Sequence, residues 1–413
     1  MAGFERRGDE LVCDGVSLEE AAARHGTPLY VYSRAAVEEA YAAYDRAFAA
    51  VPHRVCYALK ANASRAILRV LQALGAGADI VSGMEMRAAL GAGFAADRIV
   101  FSGVGKTDAE LALGLQEGVG AFNAESEAEI ARIGSAASAR GRTARVALRV
   151  NPDIDPRSHP YISTGLRENK FGTDIALAEE VLGRARSLPG VRIVGLQCHI
   201  GSQITELPPM AEAARELAAL SRRLLERGFA LETIDVGGGL GVDYDGSGAP
   251  TPEALAARVL PELRGLPLTV LLEPGRSLVA RAGALLTRVL DVKQNRGRTF
   301  VVVDAGMNDL LRPALYGAYH RIEPVALRGR PAARVDVVGP VCETADFLAR
   351  DREMELVEPG ELLAVRDTGA YAFSMSSTYN MRPRPAEVLV EEAAARLTRR
   401  RETFEDLTAT EVG

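Results

Sequence analysis

Cysteine, histidine and long apolar runs are scarce in this chain, and each scarcity closes off a class of function. The four cysteines, Cys13, Cys56, Cys198 and Cys342, stand far apart and form no CxxC pair, so neither a disulfide framework nor a zinc site is indicated. The five histidines are equally scattered and no HExxH occurs, which makes a metal-free protein the expectation. No apolar run approaches the roughly 20 residues that a membrane helix needs. The opening residues, Met1 to Glu10, are polar and hold no signal-peptide core, so a cytoplasmic location is expected. A net charge of −6 and a pI near 5.6 argue against nucleic acid or an anionic membrane as partner. Internal repeats and low-complexity linkers are also missing. What remains is an ordinary globular composition, 47% hydrophobic and 25% charged over 413 residues, long enough for two domains.

The stretch Arg54-Val-Cys-Tyr-Ala-Leu-Lys-Ala-Asn62 organises the rest. Val55 to Leu59 is apolar and partly β-branched or aromatic, and reads as a buried strand ending on Lys60. A lysine at the C-terminal lip of such a strand faces a cleft with its stem partly desolvated. That setting lowers an amine's pKa and suits Schiff-base chemistry. A lysine merely snorkelling at a strand end fits the same stretch equally well.

Further along, buried strands are expected at 55–59, 78–81, 99–102, 121–123, 145–150, 193–199, 233–237 and 269–273. Amphipathic helices fill most gaps, at 64–74, 84–90, 109–117, 126–137, 177–187, 210–226 and 252–263. Eight strands alternating with helices predict an α/β fold, a (β/α)8 TIM-type barrel. A doubly wound open sheet fits less well, because no GxGxxG follows the first strand. Beyond about residue 280 the strands 285–292, 300–303, 334–338, 362–365 and 387–390 predict a C-terminal, mainly-β domain. The charged tail 391–405 reads as a solvated helix. The expected division is a barrel over 36–279 and a β domain made of 1–35 and 280–413.

In a barrel the chemistry sits at the C-terminal strand ends, and a phosphate is commonly held after strands seven and eight. Strand seven runs into Val236-Gly-Gly-Gly-Leu-Gly241, whose bare N–H groups can approach an anion. Strand eight ends in Glu273-Pro-Gly-Arg276 and strand six in Cys198-His-Ile-Gly-Ser-Gln203. Lysine, anion cradle, flat imidazole and carboxylate together fit pyridoxal 5′-phosphate. Lys60 would hold it through an imine, while Gly237, Gly238, Gly239, Ser202, Gly275 and Arg276 would bind its phosphate. His199 would stack on the ring, and Glu273 would keep the pyridine nitrogen protonated.

These residues resemble the fold-type III pyridoxal-phosphate-dependent decarboxylases, of the alanine racemase-like fold. The likeness extends to His159–Gly165, Asn169–Gly172, Arg312–Tyr316, Gly339–Thr344, Asp346–Leu348 and Gly369–Tyr371. Within the family the resemblance is to the branch that converts meso-2,6-diaminopimelate to L-lysine. It implies a head-to-tail homodimer with shared active sites, Cys342 and Glu343 entering the partner's site. It also implies that the earliest strands, near residues 10–33, join the C-terminal sheet. Arg276, Arg312 and Tyr316 would take the distal carboxylate and Glu343 the distal ammonium. Tyr371 would touch cofactor and substrate, and Cys342 would protonate Cα. Asp79 and Glu85 resemble supporting positions around Lys60, and Arg149 is a further cofactor candidate. Ornithine, D-lysine and carboxynorspermidine are the alternative substrates. Ornithine and D-lysine lack a distal carboxylate and would have no use for Arg312. A non-catalytic regulatory homologue is the alternative of another class, and the presence of Lys60 and Cys342 argues against it.

Overall fold

The computed structural model describes residues 3–156, 164–165 and 169–412. His159 to Ser163 of the fifth quoted stretch therefore lie outside the described residues. The chain folds into two compact units. One comprises Ala40–Val242 with Ala249–Ser277, and the other Met1–Glu39, Asp243–Gly248 and Leu278–Gly413.

The first unit is a closed parallel barrel. His53–Ala58, Gly77–Ile80, Ile99–Phe101, Ala121–Ala124, Ala144–Asn151, Val191–Gln197, Thr233–Asp235 and Thr269–Leu272 pair in that order, and the last pairs with the first. The strands are buried along most of their length, because helices cover the outer face and side chains fill the inner one. Cys56, Val100, Ala121, Val194 and Leu271, one from each of five strands, form a single apolar cluster. The intervening helices start on local signals. Ser82, Thr107 and Ser126 each accept the backbone N–H three residues on, from Glu85, Glu110 and Glu129. Thr107 and Glu110 complete a reciprocal capping box on the helix Asp108–Glu117. Thr107→Ala is expected to cost about 1 kcal/mol and lower Tm by about 2–4 °C. Calorimetry reads this directly, and an unmoved Tm would mean that the cap adds nothing.

The second unit is mainly β. Gly283–Asn295 is its long spine, pairing with Arg298–Val303, Leu362–Arg366 and Leu29–Ser33. Leu29–Ser33 joins this sheet as the resemblance implied, and Ala386–Glu391 runs parallel beside it. Glu10–Cys13 instead forms a small separate sheet with Phe4–Arg7 and Val16–Ser17.

The expected helix over 391–405 is wrong. Ala386–Glu391 and Ala394–Arg399 form an antiparallel hairpin turned by Glu392 and Ala393, at φ +50° and +58°. Two left-handed residues make a turn that matches strand twist and stops a helix. Arg396 and Arg399 reach across to Glu391 and Glu387, pairings that charge counting in a one-dimensional tail cannot show. The only helix of that tail is Phe404–Thr408. Phe347–Glu355 was also not anticipated as a strand. It lies antiparallel to Ala332–Val338 at the end of the sheet order, and its Arg-Asp-Arg-Glu run suits an unpaired edge.

Among the described residues, no helix is long and apolar enough to cross a membrane.

Candidate active site

The first barrel strand hands the chain to a single 3-10 turn, Leu59–Ala61, with Leu59 and Ala61 buried on either side of Lys60. Lys60 Nζ lies 3.1 Å from Asp79 Oδ2; the lysine side chain is 35% exposed and the aspartate 0%. The amine therefore stands at the barrel lip, anchored from below by a buried anion on the second strand. Glu85, in the first turn of the next helix, accepts the Val81 N–H at 2.7 Å. Burial pushes its carboxyl up to about 7, and Asp79 adds to the shift.

Glu273 follows the eighth strand and is buried. Asn123 Nδ2 donates to its Oε1 at 3.2 Å and Gln197 Nε2 to its Oε2 at 2.9 Å. Asn123 is the last residue but one of the fourth strand and Gln197 is the last residue of the sixth, so strands four, six and eight converge on one carboxyl. Desolvation first, then the Asp235 and Asp79 carboxylates, raise the Glu273 pKa well above its usual range. Burial likewise pushes Asp235 up to about 7. Like charges in a dry site cannot all ionise without a cation beside them.

The triple glycine packs against both neighbouring strand ends. A Cβ on Gly238 would come 2.1 Å from the Glu273 carbonyl oxygen, and one on Gly239 would come 2.4 Å from that of Gly201. Gly237 and Gly239 also have φ of +69° and +111°. Glycine is required here twice over, by space and by backbone conformation. Arg276 is buried and donates to the Ser202 hydroxyl from Nη2 at 3.0 Å. Gly275 sits against Ala58 and Ala61, the two residues flanking Leu59 and Lys60.

Gly238 N–H donates to His199 Nδ1 at 3.3 Å, so the ring offers a lone pair there and carries its proton on Nε2. Desolvation, then the Lys60 and Arg149 charges, hold its pKa well below the usual value and keep the ring neutral. Arg149 pairs with Glu125 at 2.9 Å, donates to the His199 carbonyl at 3.3 Å and stacks on Phe171. Thr164 Oγ1 donates to the same carbonyl at 2.7 Å.

The structure thus gathers Lys60, Asp79, Glu85, Arg149, His199, Ser202, Gly237, Gly238, Gly239, Glu273, Gly275 and Arg276 into the barrel unit. The other predicted residues belong to the second unit. Arg312 and Tyr316 open and close the short helix Arg312–Tyr316, with Arg312 buried and Tyr316 half-buried. Cys342 and Glu343 are exposed, and Asn380 Oδ1 accepts the Cys342 backbone N–H at 2.7 Å. Tyr371 is half-buried with a left-handed backbone, φ +54°.

Residues 34–280 match the family model described as pyridoxal-dependent decarboxylase, pyridoxal binding domain. A diaminopimelate decarboxylase of Pseudomonas aeruginosa is 49% identical over 411 residues, covering 100% of this chain and 99% of its own length. The chain belongs to the diaminopimelate decarboxylase family. A relative of that name from Archaeoglobus fulgidus is 44% identical, with 96% of each chain covered. The crystal structure of the M. jannaschii family member in co-complex with L-lysine has a TM-score of 0.95 at 39% identity, covering 100% of this chain and 99% of that one. That of the Helicobacter pylori member complexed with L-lysine has a TM-score of 0.92 at 42% identity, covering 95% and 98%.

The barrel mouth fits the cofactor of this family. The glycine turn leaves bare backbone where any Cβ would collide. Asp79 Oδ1, Gln197 Oε1 and Asp235 Oδ2 are buried oxygens that receive no hydrogen bond from the protein, a lining suited to a protonated ring nitrogen and an amine. Asn123, Gln197 and Asp235 escaped the sequence reading. Their signal was present as a polar residue at or near the end of three apolar strands, Phe122-Asn123, Leu196-Gln197 and Ile234-Asp235.

Proposed function

We propose that this chain removes one carboxylate of meso-2,6-diaminopimelate as carbon dioxide and leaves L-lysine, working as a cytoplasmic head-to-tail homodimer. The observation that carries the reading is the Lys60–Asp79 pair at 3.1 Å in the barrel unit that also buries Glu273. The family's named activity at 49% identity supports the substrate. We take 36–279 as the cofactor-binding barrel, and 1–35 with 280–413 as the β domain that completes the partner's site.

Lys60 is the attachment point of pyridoxal phosphate. The backbone of Gly237–Gly239 and Gly275–Arg276, with the Ser202 hydroxyl, holds its phosphate. His199 presents a neutral flat face, and Glu273 supplies the anion for the ring nitrogen. When bound, the cofactor supplies an electron sink for the pair left by the departing carboxylate. The chain's own groups do the remainder. Asp79 holds the Lys60 amine at the lip through Nζ. Arg312, with Arg276 and Tyr316, clamps the distal carboxylate, and Glu343 of the partner chain meets the distal ammonium. Tyr371 contacts both cofactor and substrate. The Cα–carboxylate bond breaks, and a proton from the Cys342 thiol of the partner chain takes its place on Cα. The exposure of Cys342 and Glu343 supports their reaching a second chain.

Carbon dioxide release from meso-diaminopimelate, L-ornithine and D-lysine, offered separately, tests the reading. Turnover of meso-diaminopimelate alone is expected; turnover of ornithine or D-lysine instead would remove the distal-carboxylate argument. Arg312→Leu should lower kcat/KM for meso-diaminopimelate by roughly 30-fold or more, since one partner of a charge pair is lost. An unchanged kcat/KM would take Arg312 out of the substrate site.

A further inference from the structure

Arg312 does not stand alone in the second unit. Its Nη1 donates to His320 Nε2 at 2.8 Å, and His320 Nδ1 lies 2.8 Å from the Arg366 carbonyl oxygen. His320 is completely buried. A guanidinium only donates and a carbonyl only accepts. The imidazole must therefore carry its proton on Nδ1 and offer the Nε2 lone pair, as one neutral tautomer. Tyr244 packs edge-on to His320 at 5.3 Å between centroids, and its ring lies 4.8 Å from the Arg312 guanidinium carbon. Arg352 Nη1 donates to the His320 backbone carbonyl at 2.9 Å, which fixes the imidazole's own root. Arg312 is thus held at Nη1 by a lone pair while its guanidinium carbon lies over an aromatic ring, two contacts that restrict how its fork can turn.

We propose that His320 is a positioning residue for substrate discrimination, holding the Arg312 fork in the plane that takes up the distal carboxylate of the substrate. This rests on the reading of Arg312 given above. Planar bidentate recognition is sensitive to orientation, so a guanidinium released from the imidazole keeps its charge but loses its geometry. The product L-lysine retains the same distal carboxylate, whereas 1,5-diaminopentane lacks it. The two compounds separate carboxylate recognition from general fit.

The test uses the pyridoxal-phosphate-loaded enzyme with His320→Phe, His320→Gln, Arg312→Leu and the double variant His320→Phe/Arg312→Leu. His320→Phe should raise KM for meso-diaminopimelate about tenfold, the worth of one hydrogen bond to a charged group, with kcat within about twofold. Inhibition by L-lysine should weaken in step, and inhibition by 1,5-diaminopentane should not change. His320→Gln can accept from Arg312 and donate to the Arg366 carbonyl, so it should recover most of the loss. In the Arg312→Leu background His320→Phe should add nothing. Should Arg312→Leu raise KM while His320→Phe leaves it unmoved, the positioning role is overturned and the Arg312 reading stands. Should Arg312→Leu itself leave KM unmoved, both fall. If the phenylalanine variant does not fold, nitrogen chemical shifts of the wild-type imidazoles decide. A neutral, Nδ1-protonated His320 supports the proposal, and a charged or Nε2-protonated ring overturns it.

Discussion

Lys60→Ala, supplied with excess pyridoxal phosphate, is expected to release carbon dioxide from meso-diaminopimelate about 10⁴-fold more slowly than wild type, or worse. The amine is the one primary nitrogen placed over the buried Asp79 at 3.1 Å in this barrel mouth, and an alanine leaves neither attachment point nor proton carrier. The substitution also strands Asp79. Its Oδ1 already receives no hydrogen bond from the protein, and without Lys60 its Oδ2 loses this ion pair as well. Leaving a buried carboxylate uncompensated is costly, so Lys60→Ala should also unfold at lower temperature than wild type. The double change Lys60→Ala/Asp79→Asn separates the two effects, because it should regain stability and no activity. Methylamine added to Lys60→Ala gives a further check, a small recovery of rate that rises with amine concentration. Activity of Lys60→Ala within tenfold of wild type would remove Lys60 from the mechanism.

Lys60 was legible in the sequence because its context is local. An apolar strand, a lysine and a turn are neighbours in the chain, and so are the three glycines after strand seven. The chain's lysines are Lys60, Lys106, Lys170 and Lys293, and Lys106 shows what sequence alone cannot sort. It too follows a barrel strand closely, yet it is buried and fully engaged. Glu129 lies 2.9 Å from its Nζ, and the carbonyls of Gly103 and Asn123 accept from it at 2.8 Å. That lysine braces the Asn123 backbone and so steadies one of the two donors to Glu273. The donors themselves, Asn123 and Gln197, were hidden because they meet Glu273 only when strands four, six and eight close into a barrel. The tail hairpin was hidden for a related reason. Its alternation is masked by arginines whose partners, Glu387 and Glu391, lie across the turn. Periodicity reports burial on a regular surface; it does not report pairing between charges.

Glu273→Gln is the second substitution expected to act strongly, lowering kcat by about 10²- to 10³-fold with little change in KM, as for loss of a preorganised electrostatic group. Glutamine fills the same space, and Gln197 can turn its carboxamide to meet it, so the fold should persist. What is lost is the negative charge that the proposed protonated ring nitrogen requires. The same carboxyl has an opposite consequence in the cofactor-free protein. Burial and the Asp235 and Asp79 carboxylates raise its pKa above the ordinary 4.5. A raised carboxyl binds more protons in the folded than in the unfolded chain once pH exceeds that unfolded value. Stability therefore falls as pH rises from about 4.5 toward the raised folded value, and Asp235, raised to about 7, acts in the same sense. Glu85, also raised to about 7, adds to it, and Glu273→Gln removes one of these raised carboxyls and should flatten the decline. Without cofactor, Tm measured from pH 5 to pH 8 should fall less for the variant than for wild type. With cofactor bound, the order should reverse at pH 7, because the ring cation then compensates the wild-type carboxylate and has no partner in the variant. A variant whose Tm follows the wild-type pH profile in both states, with kcat unchanged, would show that Glu273 is an inert buried acid.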